Sequence, residues 1–268
     1  MTVESTDKQQ MFRISRRSMP MAVVRLVDHG ASAVIHVEAG AEAVVAGILS
    51  DSSVEVILEE GAKLELVRVV EAGPGGSCAS RLVVTQAKDS VLRSFYVTHG
   101  GRMVSDDLSV TMAGEGAEAF INGLHDLSGS ERADSHTHVD HAAPSTTSNQ
   151  LYKSIVRDQA CSGFLGRILV RRDAQLTRAY QLSKNMIVGA AGRVEARPQL
   201  EIFADDVKCS HGAAIGQIDE EQIFYLQARG IARAAAVDLL VRGFLQDVLG
   251  QIRHDGLRTE VGQRLGLL

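Results

Sequence analysis

Gly40-Ala41-Glu42-Ala43-Val44-Val45 returns as Gly61-Ala62-Lys63-Leu64-Glu65-Leu66 and again as Gly116-Ala117-Glu118-Ala119-Phe120-Ile121. Each copy has a Gly-Ala break, a charged residue and then mainly apolar residues, the pattern of a chain that turns and enters a strand. The first two copies start 21 residues apart, at positions 40 and 61. A repeat of that length, made of strands without intervening helices, fits one rung of a β-helix or solenoid, where each repeat covers the apolar face of the one before. A β-sandwich or barrel is the second architecture that such strands allow.

On either side of these copies the chain continues in short β-branched runs, which predict strands over 23–27, 33–37, 43–49, 54–58, 64–70, 81–85, 91–98, 108–112, 164–170 and 200–203. Hydrophobic residues make up 45% of the sequence but aromatic residues only 4%, with no Trp. The core is therefore expected to be aliphatic stacks, which rungs of a solenoid accommodate well. A β-helix enzyme acting on polysaccharide needs clustered carboxylates and an aromatic-lined groove, and 7 Phe with 4 Tyr supply little for one.

Twenty-eight basic and 33 acidic residues leave a net charge of −5 with no charge block, which argues against a nucleic-acid partner. Three cysteines, at 78, 161 and 209, form no Cys-x-x-Cys pair, as expected of a reduced, cytoplasmic protein. No apolar run is long enough for a membrane span, and the first twenty residues hold no signal-peptide core. The pattern divides the chain into a polar segment at 1–21, a β core at 22–216 and a helical tail at 217–268.

Candidate chemistry concentrates in two places. In Asp205-Asp206-Val207-Lys208-Cys209-Ser210-His211-Gly212-Ala213, strand periodicity puts Cys209 and His211 on one face and Lys208 on the other. A thiol and an imidazole suit iron, zinc or an iron–sulfur cluster, and Lys208 nearby is expected to help ionise the thiol. The same pair also fits a buried structural Cys beside a hydrogen-bonded His, the reading that residue types alone favour. The second place is His136-Thr137-His138-Val139-Asp140-His141, where His136, His138 and Asp140 would share one strand face, as a stand-alone metalloenzyme would need. A strand satisfied by local hydrogen bonds is the simpler account. Gly73-Pro74-Gly75-Gly76-Ser77 lacks the remaining letters of a dinucleotide or P-loop fingerprint, and no Walker A sequence occurs.

The run Ser148-Asn149-Gln150-Leu151-Tyr152-Lys153, with Phe164, Gly166, Ile168 and Val170, then Ala174 to Thr177, Ala179-Tyr180-Gln181 and Lys184-Asn185, resembles the core of the SufB/SufD family of iron–sulfur cluster assembly proteins. Pro198, Leu200-Glu201-Ile202, Ala204 to Ala213, Gly216, Asp219, Phe224-Tyr225-Leu226 and Arg229-Gly230-Ile231 continue in the family's order. The resemblance is strong over 132–245 and general over 22–131. It implies a right-handed parallel β-helix followed by a small C-terminal helical domain, and a scaffold subunit without catalytic residues. It also implies partners: a SufB-like subunit, or a second copy, through the β-helix, and the SufC ATPase through the helices. Gly212, where SufB-like chains have Glu, and the lack of any Cys between 161 and 209 make the Lys-Cys-Ser-His-Gly-Ala form similar to the SufD branch. By that resemblance His211, with Cys209 beside it, contributes to a transient cluster shared with the partner, because a cluster needs about four ligands and this stretch offers two. Members usually carry a helical region ahead of the β-helix, in whose place this sequence has about twenty polar residues.

In the tail, Asp219 and Gln222 form a capping-box pattern and Gly230 a stop. A second helix from Arg233 puts Val237, Leu240, Val241, Phe244, Leu245, Val248 and Ile252 on one stripe, which serves either core packing or partner docking. Phe224, Tyr225, Arg229 and Phe244 are the candidate partner-binding residues. A last helix is expected near 259–267.

Overall fold

A computed structural model describes residues 2–6, 9–15, 23–26, 32–49, 51–70, 72 and 75–267, and in it the recurrent Gly-Ala breaks are corners of a parallel β-solenoid of about six turns. The strands, in chain order, are β1 (Thr2–Thr6), β2 (Gln9–Ile14), β3 (Val23–Leu26), β4 (Ser32–Val37), β5 (Glu42–Leu49), β6 (Ser52–Leu58), β7 (Lys63–Val70), β8 (Ser77–Gln86), β9 (Val91–His99), β10 (Met103–Met112), β11 (Glu118–Leu127), β12 (Arg132–His141), β13 (Thr147–Arg157), β14 (Cys161–Val170), β15 (Arg178–Val188), β16 (Arg193–Ile202) and β17 (Lys208–Gln217). From β3 to β17 the strands alternate between two sheets, odd numbers in one and even numbers in the other, so each turn adds one strand to each. Strand β1 joins the even sheet by antiparallel pairing with β2.

Register is held at the corners. Gly40 and Gly61 take φ of 62° and 65°, the left-handed region that Gly enters without steric cost. The Gly40 N–H donates to Glu60 O at 2.8 Å and the Gly61 N–H to Lys88 O at 2.8 Å. The same ladder runs on through Asp89, Gly116, Ser145 and Leu176, each with positive φ and each donating to the carbonyl just before the next corner. The residue after each corner turns inward: Ala41, Ala62, Ser90, Ala117, Thr146 and Thr177 are all buried. In-register pairing then makes Glu42, Lys63, Val91, Glu118, Thr147, Arg178 and Lys208 one outer column.

The lumen changes character along its length. In the early turns it is aliphatic, with Ile35, Val45, Val56, Leu66 and Leu82 among the inward residues. Farther on it holds small polar side chains bonded to one another. The His125 imidazole bonds Ser162 Oγ at 2.9 Å and Ser135 Oγ at 2.8 Å, and the His141 imidazole bonds Thr146 Oγ1 at 2.7 Å and Ser148 Oγ at 2.8 Å. Inward polar positions of this kind are why β13 and β15 lack the apolar alternation of an ordinary strand.

The segment 1–21, read from sequence as polar and separate, carries β1 and β2. Phe12 and Ile14 point inward and β2 pairs parallel with β4, so the even sheet extends into it; its remaining residues at 1, 7–8 and 16–21 lie outside the described residues. So do Val27, the last residue of the strand read at 23–27, and Gly73 and Pro74 of the Gly-rich loop.

Three helices follow: α1 (Glu220–Gln227), α2 (Arg233–Leu249) and α3 (Asp255–Arg264). Asp219 accepts from the N–H groups of Glu221 and Gln222, as expected of an N-cap, and Gly230 takes φ 83° just past α1. The stripe of α2 serves core packing. Val241, Leu245, Val248 and Ile252, with Leu257 and Val261 of α3, bury against Val67, Val69, Phe95, Val97, Leu124 and Ile155 on the outer face of the odd sheet. Each such side chain removed from water contributes about 1.5–3 kcal/mol. Polar ties align the packing. Arg25 meets Glu260 through two hydrogen bonds, and Glu65 accepts the backbone N–H groups of Arg253 and His254. The last helix starts at 255 rather than 259, because His254 Nδ1 accepts the Leu257 N–H and acts as its cap.

Candidate functional site

The last turn of the solenoid is formed by β16 and β17, which stand at the ends of their sheets with one long edge unpaired. Among the described residues no further rung covers its inward face. Cys209 and His211 lie on that face, in register with Ala179 and Gln181 of β15, while Lys208 and Ser210 alternate to the other side. Cys209 is half-buried and packs against the main core. Burial pushes its thiol up, more than a hydrogen bond with the Ala179 main chain pulls it down. This corrects the expectation that Lys208 keeps the thiol ionised: the ammonium is on the opposite face. His211 is exposed at the open end. Cys78 is buried in β8 and Cys161 half-buried at the start of β14, so the three cysteines lie on different strands and no disulfide joins them.

Around this end the surface is unusually apolar. Leu176, Tyr180, Leu182, Ile202, Phe203 and Ile215 are all exposed, Phe203 by 59%. Unpaired strand edges combined with exposed apolar side chains mark a surface made to be covered.

His136, His138 and Asp140 do share the outer face of β12, yet His136 and Asp140 are drawn to different neighbours. His136 Nδ1 bonds Asp107 Oδ1 at 2.8 Å, and Arg171 donates to both Asp140 oxygens at 3.0 and 2.6 Å. Among the described residues no group of three or more His, Cys, Asp or Glu side chains is placed to hold a metal ion. Cys209 and His211 are two side chains of ligand type on one face, without a third such group beside them among the described residues.

The candidate docking residues separate into two sets. Phe224 and Tyr225 on α1 are 72% and 56% exposed, and the Arg229 guanidinium stacks 3.5 Å over the Tyr225 ring. Phe244 is half-buried against the odd sheet, with Lys153 Nζ 4.1 Å over its ring and hydrogen-bonded to its carbonyl and to Asp247. Phe244 thus belongs to the contact between tail and solenoid.

Sequence reasoning passed over two features of the lumen. One is the buried ion pair of Arg68 with Asp106, to which Ser80 adds a hydrogen bond. The other is the column Gln150, Gln181, His211, in which the two glutamines are buried. The signal for both was a polar residue at an inward position of a strand, visible only once the register is known.

No helix among the described residues is long and apolar enough to cross a membrane. The family model "SUF system FeS cluster assembly, SufBD core domain" matches residues 12–244. The iron–sulfur cluster assembly protein SufD of Escherichia coli is 37% identical over 180 residues, covering 67% of this chain and 43% of that protein. A SufBD family protein of Synechocystis is 33% identical over 78% of this chain and 46% of its own length, and one of Mycobacterium leprae is 32% identical over 78% and 55%. The chain thus spans roughly half the length of the curated relatives it matches. With the solenoid, the terminal Cys209-His211 strand and the helical tail in place, the chain belongs to the SufB/SufD family of iron–sulfur cluster assembly proteins, close to SufD.

Proposed function

We propose that this protein is a SufD-like scaffold subunit, without catalytic residues of its own, on which a nascent iron–sulfur cluster is built and from which it is passed on. The cluster is cargo, held transiently at the open end of the solenoid by His211, with Cys209 beside it, and by groups from a second β-helix subunit of SufB type. The observation that carries this reading is the terminal strand β17: it presents two ligand-type side chains on an uncovered face, beside an unpaired sheet edge and a rim of exposed apolar residues. Two ligands are too few for a cluster, which takes about four. A partner strand added to the edge of β17 supplies main-chain pairing and the missing ligands in one contact. On α1, which follows β17 directly, exposed Phe224 and Tyr225 with Arg229 offer an ATPase of SufC type an aromatic and cationic anchor. The setting is cytoplasmic.

Co-purification from the native cell tests the reading. A second β-helix protein and an ATPase should come with the chain in stable stoichiometry, and their absence would count against it.

A further inference from the structure

Gln181 is 2% exposed, yet neither its Oε1 nor its Nε2 has a hydrogen-bond partner among the described residues. Most buried polar side chains in native proteins are satisfied, and an orphaned carboxamide is retained against its desolvation cost. The fold also makes room for this one. A Cβ on Gly166 of β14 would lie 2.3 Å from Gln181 Nε2 and 2.7 Å from the Phe164 ring, so the absence of a side chain at 166 is what lets the amide cross the lumen. One strand farther on, Gly166 pairs with Pro198, which has no N–H, and Gln181 pairs with His211. One strand back is Gln150, whose Oε1 is already taken by Thr137 Oγ1 at 2.9 Å. The His211 imidazole is thus the titratable group next to an unused buried acceptor.

We infer that Gln181 is a positioning residue for His211: when the imidazole turns toward the lumen, the unpaired Gln181 Oε1 accepts the N–H of one ring nitrogen and fixes the tautomer whose other nitrogen turns its lone pair to the open end. The inference rests on the proposal that His211 ligates the nascent cluster. A ligating imidazole almost always gives its second N–H to an acceptor, which orients the ring and raises its basicity.

The test uses the full complex with its β-helix partner and ATPase, carrying Gln181→Leu, Gln150→Leu or His211→Ala. Iron and acid-labile sulfide after reconstitution, thermal midpoint, and the 15N signals of His211 in the metal-free chain are read. Gln181→Leu should lower bound iron about tenfold, the usual effect of removing such an acceptor. Its thermal midpoint should stay level or rise, since an unpaired amide is exchanged for an apolar side chain. Gln150→Leu should keep its iron. His211 should show one tautomer in the wild-type chain and a mixture in Gln181→Leu, a readout independent of cluster loading. Full iron in Gln181→Leu with loss in His211→Ala overturns the role of Gln181 and leaves the shared-ligand reading standing, whereas full iron in His211→Ala removes that reading. A fall in thermal midpoint that parallels the iron loss, equal loss in Gln150→Leu, or a wild-type His211 already mixed between tautomers would each overturn the inference.

Discussion

Arg68 and Asp106 meet inside the solenoid through two hydrogen bonds of 2.7 and 3.0 Å, and their side chains are 1% and 0% exposed. The guanidinium comes from the odd sheet and the carboxylate from the even one, so the pair ties the two sheets across the lumen. Removing one partner leaves an uncompensated charge in a low-dielectric interior. Arg68→Met should therefore destabilise the chain by about 3–5 kcal/mol, and Arg68→Met combined with Asp106→Leu should recover most of that loss. Urea denaturation of the wild-type chain and the two variants measures it; a single variant as stable as the double one would show that the pair is solvated.

The buried histidines set a pH dependence. Burial lowers the pKa of His125 to about 4 and that of His141 to about 4. In the unfolded chain both titrate near 6.5. The folded state thus binds fewer protons than the unfolded state between pH 6.5 and 4. Stability is full above about 6.5 and falls as the pH drops towards 4, by up to about 1.4 kcal/mol per pH unit for each residue. Unfolding free energy measured between pH 7.5 and 4.5 should follow that slope, and His141→Gln should flatten it. A flat wild-type profile would contradict the burial of these rings.

The corner ladder predicts where a sequence change should help. Leu176 holds φ 61° and is 57% exposed, a conformation that L residues other than Asn, Asp and Gly enter at a cost. Leu176→Asn should raise the stability of the isolated chain by roughly 1 kcal/mol, since the strain is relieved and little packing is lost. Thermal unfolding checks this, and a drop in midpoint would mean that Leu176 packs more tightly than its exposure indicates.

That ladder also explains how much of the fold was legible. The Gly-Ala letters at 40, 61 and 116 announced three corners, and the same corner recurs at Asp89, Ser145 and Leu176, where the letters are disguised. Strands with apolar interiors were readable from alternation, and Asp219 and Gly230 marked α1. Strands β13 and β15 were not, because their inward positions are Ser148, Gln150, Ser154, Gln181, Ser183 and Asn185, which read as surface until the polar lumen is known. At the candidate site, strand period two placed Cys209 and His211 on one face. What lies beneath them depended on a register roughly thirty residues back that no local pattern encodes. The stripe on α2 showed a buried face without saying what covers it, and the outer face of the odd sheet was the answer.

Phe224 and Phe244 should behave differently when charged. Phe224 is exposed on α1, so Phe224→Asp should leave helix content and thermal midpoint unchanged and abolish binding of the ATPase partner. Phe244, on α2, packs against Lys153 and the odd sheet, so Phe244→Asp should detach the tail from the sheet, at a cost of several kcal/mol. Circular dichroism with a pull-down separates the two. A folded Phe224→Asp chain that still binds the ATPase would exclude Phe224 from the contact.

The shared-cluster account is tested most directly by the iron and acid-labile sulfide content of the reconstituted complex carrying His211→Ala. An exposed imidazole contributes little to association beside the apolar rim of the last turn. The variant should fold, assemble with its partners and keep its thermal midpoint, while cluster content falls by about tenfold or more, as expected when a coordination position is left open. Cys209→Ala, which removes a half-buried thiol whose pKa burial has raised, should have the milder effect. A His211→Ala complex with its full complement of iron and sulfide would contradict the account.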